Sequence, residues 1–540
     1  MLKKITRMAV PALAMIFSFS CSSKQPPHPE ELMLEDYDVM VQMLNEVYPG
    51  KTLAQDIFGV DIMKTLLAAR EKINPQMTEL EFAALVNEAL QSCKGKNMRI
   101  NPQLFDADGK SNAARLAHDR IPVAAIRKTH EISERLAKQQ LLPPKTVDLV
   151  YFDGAYYSRH DFTVNGASYK QGMKLVSVDG RAPLDIIAGH QGRLNSFDYQ
   201  RKIFYGDAFG EGVAHNIYRL MPMPADGARK FVFQTAAGGN LEIAVADSSV
   251  VENKAPQAGF ASVGKTVSYL ESEKLLYVRI PAMNDDDLPF YDKEIRDVLK
   301  NREVAAVILD VRNNLGGGDQ VWHKLLELFV ENTTASFSLV TRHTPAAMGY
   351  MKRIIALNGV EVIRKSLPIF TPFLSLKEMQ LYTLNVQSNF ADGKVCPVYI
   401  ITHDVRGTTG NLLSVAGRMP NVTSVGLRNP VQLGMGTADF FFSLPNSKLV
   451  ISLALQLDLT GCKSVEDITH TQVNLEVPFT AEQFIAYLNR DNIGDLPDYL
   501  LKHDPFIQKI LDARKPKVEE KPADLKPAEE KPAEAKAEAK

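Results

Sequence analysis

Apolar residues in the first hundred positions recur at helical spacing. Leu34, Tyr37, Val41, Leu44 and Val47 fall three or four residues apart, and Pro49-Gly50 ends the segment. Phe82, Leu85, Val86 and Leu90 repeat the pattern, with Thr78 as the predicted N-cap and Glu81 three residues on, the signature of a capping box. From about Val147 the runs shorten to strand length, with Leu149, Tyr151 and Tyr157 in β-rich stretches. Between Gly172 and Gly180 the apolar positions are Met173, Leu175 (with Val176) and Val178, and Asp179-Gly180 reads as a tight turn. Pro183-Leu184-Asp185-Ile186-Ile187 then predicts a helix start.

Strands and helices alternate from about Val263. Leu275–Ile280 reads as a strand, and Glu294–Arg302 as a helix. Val304 to Val311 is almost continuously apolar, as expected of a strand covered on both faces. Asn313-Asn314-Leu315-Gly316-Gly317-Gly318 is a glycine turn, and Val321, Leu325, Leu326 and Phe329 mark the helix after it. Val398–Thr402 is a second buried strand. This alternation predicts an α/β core.

Composition adds bounds rather than a function. The chain has 540 residues, enough for two to four domains, with ordinary apolar (45%) and charged (23%) fractions. A formal net charge of −2 gives no reason to expect a nucleic-acid partner. Past Lys515, Lys, Glu, Pro and Ala dominate; that composition predicts a solvated tail without a core.

The N-terminus reads as an export signal. Lys3, Lys4 and Arg7 precede an apolar stretch from Met8 to Phe19, too short to cross a bilayer comfortably. Ser20-Cys21, followed by Ser22, Ser23 and a proline-rich spacer, resembles a bacterial lipobox, although Ser18 and Phe19 depart from its usual Leu-Ala-Gly pattern. The resemblance implies lipidation at Cys21, a lipid anchor in the cell envelope, and no obvious inner-membrane retention signal at Ser22. Cys93, Cys396 and Cys462 remain, far apart and outside any C-x-x-C pattern. Neither a disulfide framework nor a metal site is indicated, and no cofactor is expected.

The candidate chemistry lies at Val304–Gly318. A buried strand delivers the chain to a glycine turn, and a helix leaves it. Glycines let backbone N–H groups converge, and the helix N-terminus adds positive potential. Such a turn suits an oxyanion hole or anion cradle, although a purely structural turn has the same spacing.

Four strings, YVRIPAM (277–283), AVILDVRNNLGGG (306–318), PVYIIT (397–402) and LPNSKLVI (444–451), resemble in order and spacing the S41 family of serine peptidases, which includes tail-specific, C-terminal processing and tricorn-like proteases. The resemblance spans roughly residues 30–480. It implies a ClpP/crotonase-like α/β core with an N-terminal helical domain. The 172–187 segment in turn resembles the end of a PDZ domain, which would bind an extended peptide by strand addition. The implied division is a signal peptide (1–20), a lipoprotein spacer (21–29), the helical domain (30–145), a PDZ-like domain (146–205), a connecting β segment (206–262), the S41 peptidase-like core (263–490), C-terminal helices (491–514) and a disordered tail (515–540).

By the same resemblance, Gly316 and Gly317 supply the oxyanion-hole N–H groups. The other positions depart from the family. Asn411 matches the end of an S-A-A-N pattern, so Thr408 falls on the nucleophilic serine. Gln432 stands where the processing proteases carry lysine, and it cannot act as a base. Lys96 falls on the histidine of the tricorn-like G-H-T pattern, Tyr48-Pro49 replaces its H-P, and the C-terminal P-D pattern has become Thr469-His470-Thr471-Gln472-Val473.

A serine peptidase needs a nucleophile, a base and a group that orients the base. Thr408 keeps a hydroxyl, but its methyl stiffens χ1, and as an internal residue it lacks the chain-terminal amine that threonine nucleophiles use. Lys96 would become a base only if desolvated. His403, at the strand end before Thr408, and His323, on the helix after the glycine turn, are substitute candidates. A one-residue shift rescues nothing, because no serine lies between Val395 and Ser414. Two readings follow. One is a degenerate S41-like lipoprotein that binds peptide or protein termini. The other is an atypical peptidase using Thr408. A structural envelope lipoprotein spaced by its charged tail is a third.

Overall fold

The computed structural model describes residues 28–95, 98–100, 121–140, 147–188, 196–198, 201, 203–205, 221, 224–246, 248–254, 263–314, 316–330, 334–358, 362–363, 379–387, 394–403, 412–413, 419–427, 429–430, 439–459, 470–471, 473–490 and 494–515. The export signal, Cys21 and the tail beyond 515 lie outside them. The chain divides into two compact units. One holds Met1–Lys254, Ser336–Asn385 and Pro430–His470; the other holds Ala255–Ala335, Val386–Asn429 and Thr471–Lys540.

In the first unit, helix Pro29–Val47 buries Tyr37, Met40, Leu44 and Val47 on one face. Asp36 on the same helix is fully buried, and its two oxygens accept the backbone N–H groups of Asn446 and Ser447, each at 2.7 Å. The carboxylate thus ties the helix to the 444–449 turn, since this buried acceptor finds its donors there. Helix Glu79–Ser92 starts with the expected capping box: Glu81 N–H donates to Thr78 Oγ1 at 3.3 Å, and Thr78 N–H to Glu81 Oε2 at 2.8 Å.

A five-stranded antiparallel sheet follows, in the order Asn240–Ala246, Ala228–Gln234, Lys174–Val178, Ala155–Ser158, Leu149–Phe152. The double apolar position at Leu175-Val176 has a physical explanation. A register shift between Leu175 and Ser177 makes a bulge, which leaves Val176 exposed while Leu175 and Val178 stay in the core. Asp179 (φ 50°) and Gly180 (φ 75°) form the tight turn. The Asp179 carboxylate accepts from Lys230 N–H and Arg229 Nη1, both at 2.8 Å, which pins the turn to the next strand. Helix Pro183–Ala188 then starts where the sequence placed it and buries Ile186 and Ile187.

The second unit is built on a six-stranded sheet in the order Thr266–Leu270, Leu275–Arg279, Ala306–Asp310, Val398–Thr402, Val422–Gly426, Leu475–Glu476. The first pair is antiparallel and the rest are parallel. All five residues of Ala306–Asp310 are buried, as the continuous apolar run required. The helix expected at 294–302 is Leu288–Asn301, so it begins six residues earlier. Asn284 accepts the Asp286 N–H and opens a 3-10 turn at Asp285–Asp287, and Pro289 sits in the first helical turn, where its missing N–H costs nothing. Helices Ala481–Leu488, Leu496–His503 and Pro505–Arg514 pack Tyr487, Leu500, Phe506, Ile507 and Ile510 into one cluster with Tyr277, Ile308 and Val425 of the sheet.

Candidate functional site at the glycine turn

The turn stands at the carboxyl ends of two adjacent parallel strands. Strand Ala306–Asp310 feeds it, and Val311 and Asn313 donate their N–H groups to Ile401 O (3.0 Å) and His403 O (2.8 Å), at and just past the end of the neighbouring strand. On the other side the chain beyond Leu275–Arg279 runs alongside. Met283 N–H donates to Gly316 O at 3.0 Å, and Gly318 N–H donates to Met283 O at 2.7 Å. Met283 and Gly317 form a parallel bridge. Gly316 and Gly317 hold φ values of 110° and 140°, which L side chains rarely adopt. Helix Asp319–Glu327 leaves from Gly318.

Of the two N–H groups expected to converge on an oxyanion, those of Gly316 and Gly317, the first is committed. Gly316 N–H donates to Asn314 Oδ1 at 2.8 Å, and Asn314, fully buried, donates through Nδ2 to Ile280 O at 2.9 Å. Gly318 N–H belongs to Met283. The turn is therefore held by its own side chain and by the neighbouring strand extension.

Beneath it lies a buried ionic cluster that the sequence reading left unassigned. Asp310 and Arg312 both have zero side-chain exposure. Arg312 Nε and Nη2 grip Asp310 at 2.5–3.0 Å, Tyr277 OH donates to Asp310 Oδ2 at 2.7 Å, and Arg312 Nη1 donates to Asp504 Oδ2 at 2.7 Å. Arg279 Nη1 donates to the carbonyls of Arg312 (2.7 Å) and Asp310 (3.2 Å). Burial alone would raise the Asp310 carboxyl. The charges of Arg312 and Arg279, with the hydrogen bonds from Arg312 and Tyr277, overturn that and hold it at about 2. The signal in the sequence was the charged pair Asp310 and Arg312 enclosing Val311 at the end of an apolar run, where a lone charge could not be buried.

Two histidines of this unit were candidate bases. His403 follows strand Val398–Thr402; its ring faces Phe484 (5.9 Å between centroids) and Tyr487 (5.8 Å), and its Nδ1 is buried without a hydrogen-bond partner among the described residues. Burial, reinforced by the Arg490 and Arg312 charges, pushes it down to about 3. His323 is pushed down to about 4, mainly by burial, and its Nε2 likewise meets no partner among the described residues. Both stay neutral at neutral pH, and an imidazole this acidic is a weak proton acceptor.

A folded-state value below the usual 6.5 means that the unfolded chain takes up a proton the folded chain refuses. The stability tied to neutral His403 is complete above about pH 6.5 and is lost progressively as pH falls toward 3, at about 1.4 kcal/mol per pH unit. His403→Phe is expected to remove that slope, making the variant more stable than wild type at pH 4.5 by on the order of 2 kcal/mol. Urea unfolding at pH 7.5 and 4.5 checks it. An equal loss in both proteins would sink the assignment.

The residues matched to the family nucleophile and bases, Thr408, Lys96 and Gln432, lie outside the described residues. His470 and Thr471, from the altered C-terminal pattern, are described only as a short strand. Of the predicted site residues, Gly316 and Gly317 share the turn, and the His403 carbonyl accepts the N–H of Asn313 at its start.

A mostly parallel sheet with a glycine turn at its carboxyl end defines an α/β protein with a candidate site at the strand ends. More particularly, residues 274–369 match the family model described as peptidase family S41. The structure titled mature CPAF is similar in fold, with a TM-score of 0.54 and 14% identity over 90% of this chain and 98% of that one. Mature CPAF complexed with lactacystin gives a TM-score of 0.51 and 15% identity over 88% of this chain and 99% of that one. No curated protein matches the chain by sequence.

Proposed function

We propose that this S41-family chain is an exported lipoprotein, anchored through Cys21 in the cell envelope, that binds peptide or protein termini without cleaving them. The observation that carries the reading is the state of the glycine turn. Electrostatic catalysis of acyl transfer needs donors preorganised toward a developing oxyanion. Here, of the two donors the resemblance implies, Gly316 and Gly317, the first is held by Asn314, and the adjoining Gly318 N–H is held by Met283. The substitutions point the same way, with Thr408 at the nucleophile position and Gln432 and Lys96 at the two base positions. What remains is a rigid turn at the strand ends, together with a β-sheet region of PDZ-like sequence, and both suit the capture of extended peptide.

The test uses protein lacking residues 1–21, with Thr408→Ala and Lys96→Ala variants. Incubated with a denatured protein, all three are expected to leave the substrate intact, while fluorescence anisotropy registers peptide binding by the parent. Cleavage by the parent that disappears in the variants would instead establish the atypical peptidase with Thr408 as its nucleophile.

A further inference from the structure

Asp504 uses its two oxygens for two segments far apart in sequence. Oδ1 accepts the N–H groups of Phe506 (3.0 Å) and Ile507 (3.2 Å), capping helix Pro505–Arg514. Oδ2 accepts Arg312 Nη1 at 2.7 Å across 192 residues of sequence. Both side chains have zero exposure, and the Arg312 guanidinium also lies over the Phe506 ring at 5.0 Å from its centroid. Arg312 immediately precedes Asn313, which holds a left-handed φ of 58° and gives its N–H to His403 O. The guanidinium is thus fixed between the end of strand Ala306–Asp310 and the start of helix Pro505–Arg514.

We propose that the C-terminal helix is a positioning element for the glycine turn, and that Asp504 is the residue through which it acts, by way of Arg312.

Simpler explanations account for less of the geometry. Anchoring the helix needs only its apolar face, and Phe506, Ile507 and Ile510 supply that. A well-packed apolar contact would do so without desolvating two charges. Capping needs one oxygen, which Asn or Ser would provide equally well. Among the described residues, the second oxygen accepts from Arg312. Arg312 in turn completes Asp310, and its own carbonyl receives Arg279, so the backbone entering the turn is held from both sides. A planar fork that satisfies two carboxylates at once has one orientation, and that orientation fixes where residues 312–314 begin. The inference does not depend on whether the turn binds or cleaves a ligand.

Hydrogen–deuterium exchange on the full chain tests it. Asp504→Asn keeps an oxygen for the helix cap but removes the charge facing Arg312. The amides of 312–318 are expected to exchange at least about tenfold faster, while strands Leu275–Arg279 and Val422–Gly426 keep their wild-type protection. Asp495→Ala is the control. It removes the cap of the preceding helix, where Asp495 accepts the Asp498 N–H at 2.9 Å, and is expected to leave the turn unchanged. Equal acceleration in both variants, or none in Asp504→Asn, overturns the proposal. A second measurement needs no variant: in wild type under rising urea, the turn is expected to lose protection no later than helix Pro505–Arg514. A turn that stays protected after that helix has exchanged overturns the proposal even if Asp504→Asn does not fold.

Discussion

Arg312→Met is expected to destabilise the six-stranded unit by about 3–5 kcal/mol, the range for removing one partner of a buried ion pair. The methionine fills much of the volume, so the loss is electrostatic rather than a cavity. Asp504 Oδ2 is left in a site with zero exposure, and Asp310 loses the closest of its charge partners while keeping the Tyr277 hydroxyl and Arg279 at 3.6 Å. Arg312→Lys is expected to cost roughly half as much, because one ammonium cannot span both carboxylates as the guanidinium fork does. The acid limb adds a signature. In wild type the Asp310 carboxyl lies below its unfolded value, so the stability it brings is complete above about pH 4 and lost as pH falls through about 2. In Arg312→Met the Asp310 carboxyl rises toward its unfolded value, so that acid loss is expected to shrink. Urea midpoints for the three proteins between pH 7 and pH 3 check the series; identical midpoints for Arg312→Met and wild type would show that the cluster adds nothing.

What could be read from the chain beforehand follows from how local each device is. The Thr78–Glu81 capping box spans four residues, and the strand at 306–310 announces itself by an unbroken apolar run. The Asp179-Gly180 turn needed only its own two residues to be recognised. The early start of helix Leu288–Asn301 was missed although Asp287 and Pro289 carry an N-terminal signature, because the apolar periodicity is clearest only from 294 onward. The glycine turn was legible as a shape, but its donors were not. That Gly316 N–H belongs to Asn314 depends on a side-chain rotamer, and that Gly318 N–H belongs to Met283 depends on a chain 35 residues away in sequence. Asp504 before Pro505 reads as a helix cap, and nothing local says that its other oxygen meets Arg312. The depressed histidines are tertiary facts as well, since burial and neighbouring guanidiniums set them.

Gly317→Ala is expected to cost about 3–5 kcal/mol in the same unit, combining backbone strain with the loss of two hydrogen bonds. A Cβ on Gly317 would lie 2.0 Å from Met283 O and 2.7 Å from Met283 C, both backbone atoms that no rotamer change can move aside. Relief requires the bridge between Met283 and Gly317 to part. That breaks Met283 N–H to Gly316 O and Gly318 N–H to Met283 O, the contacts that seat the turn against the neighbouring strand. The φ of 140° adds a penalty that any L residue pays there. Gly494→Ala separates the two effects: Gly494 has φ 61°, but a Cβ there meets nothing within 4 Å, so it is expected to cost only about 1 kcal/mol. A Gly317→Ala loss no larger than that would mean the turn yields freely, and that the approach of residue 283 does not require glycine. If the turn is where peptide binds, the same variant is expected to weaken peptide affinity at least about tenfold, while Gly494→Ala leaves it unchanged. Urea unfolding and fluorescence anisotropy on the two variants read the two consequences separately, so a fall in stability without a fall in affinity would move the binding site away from the turn.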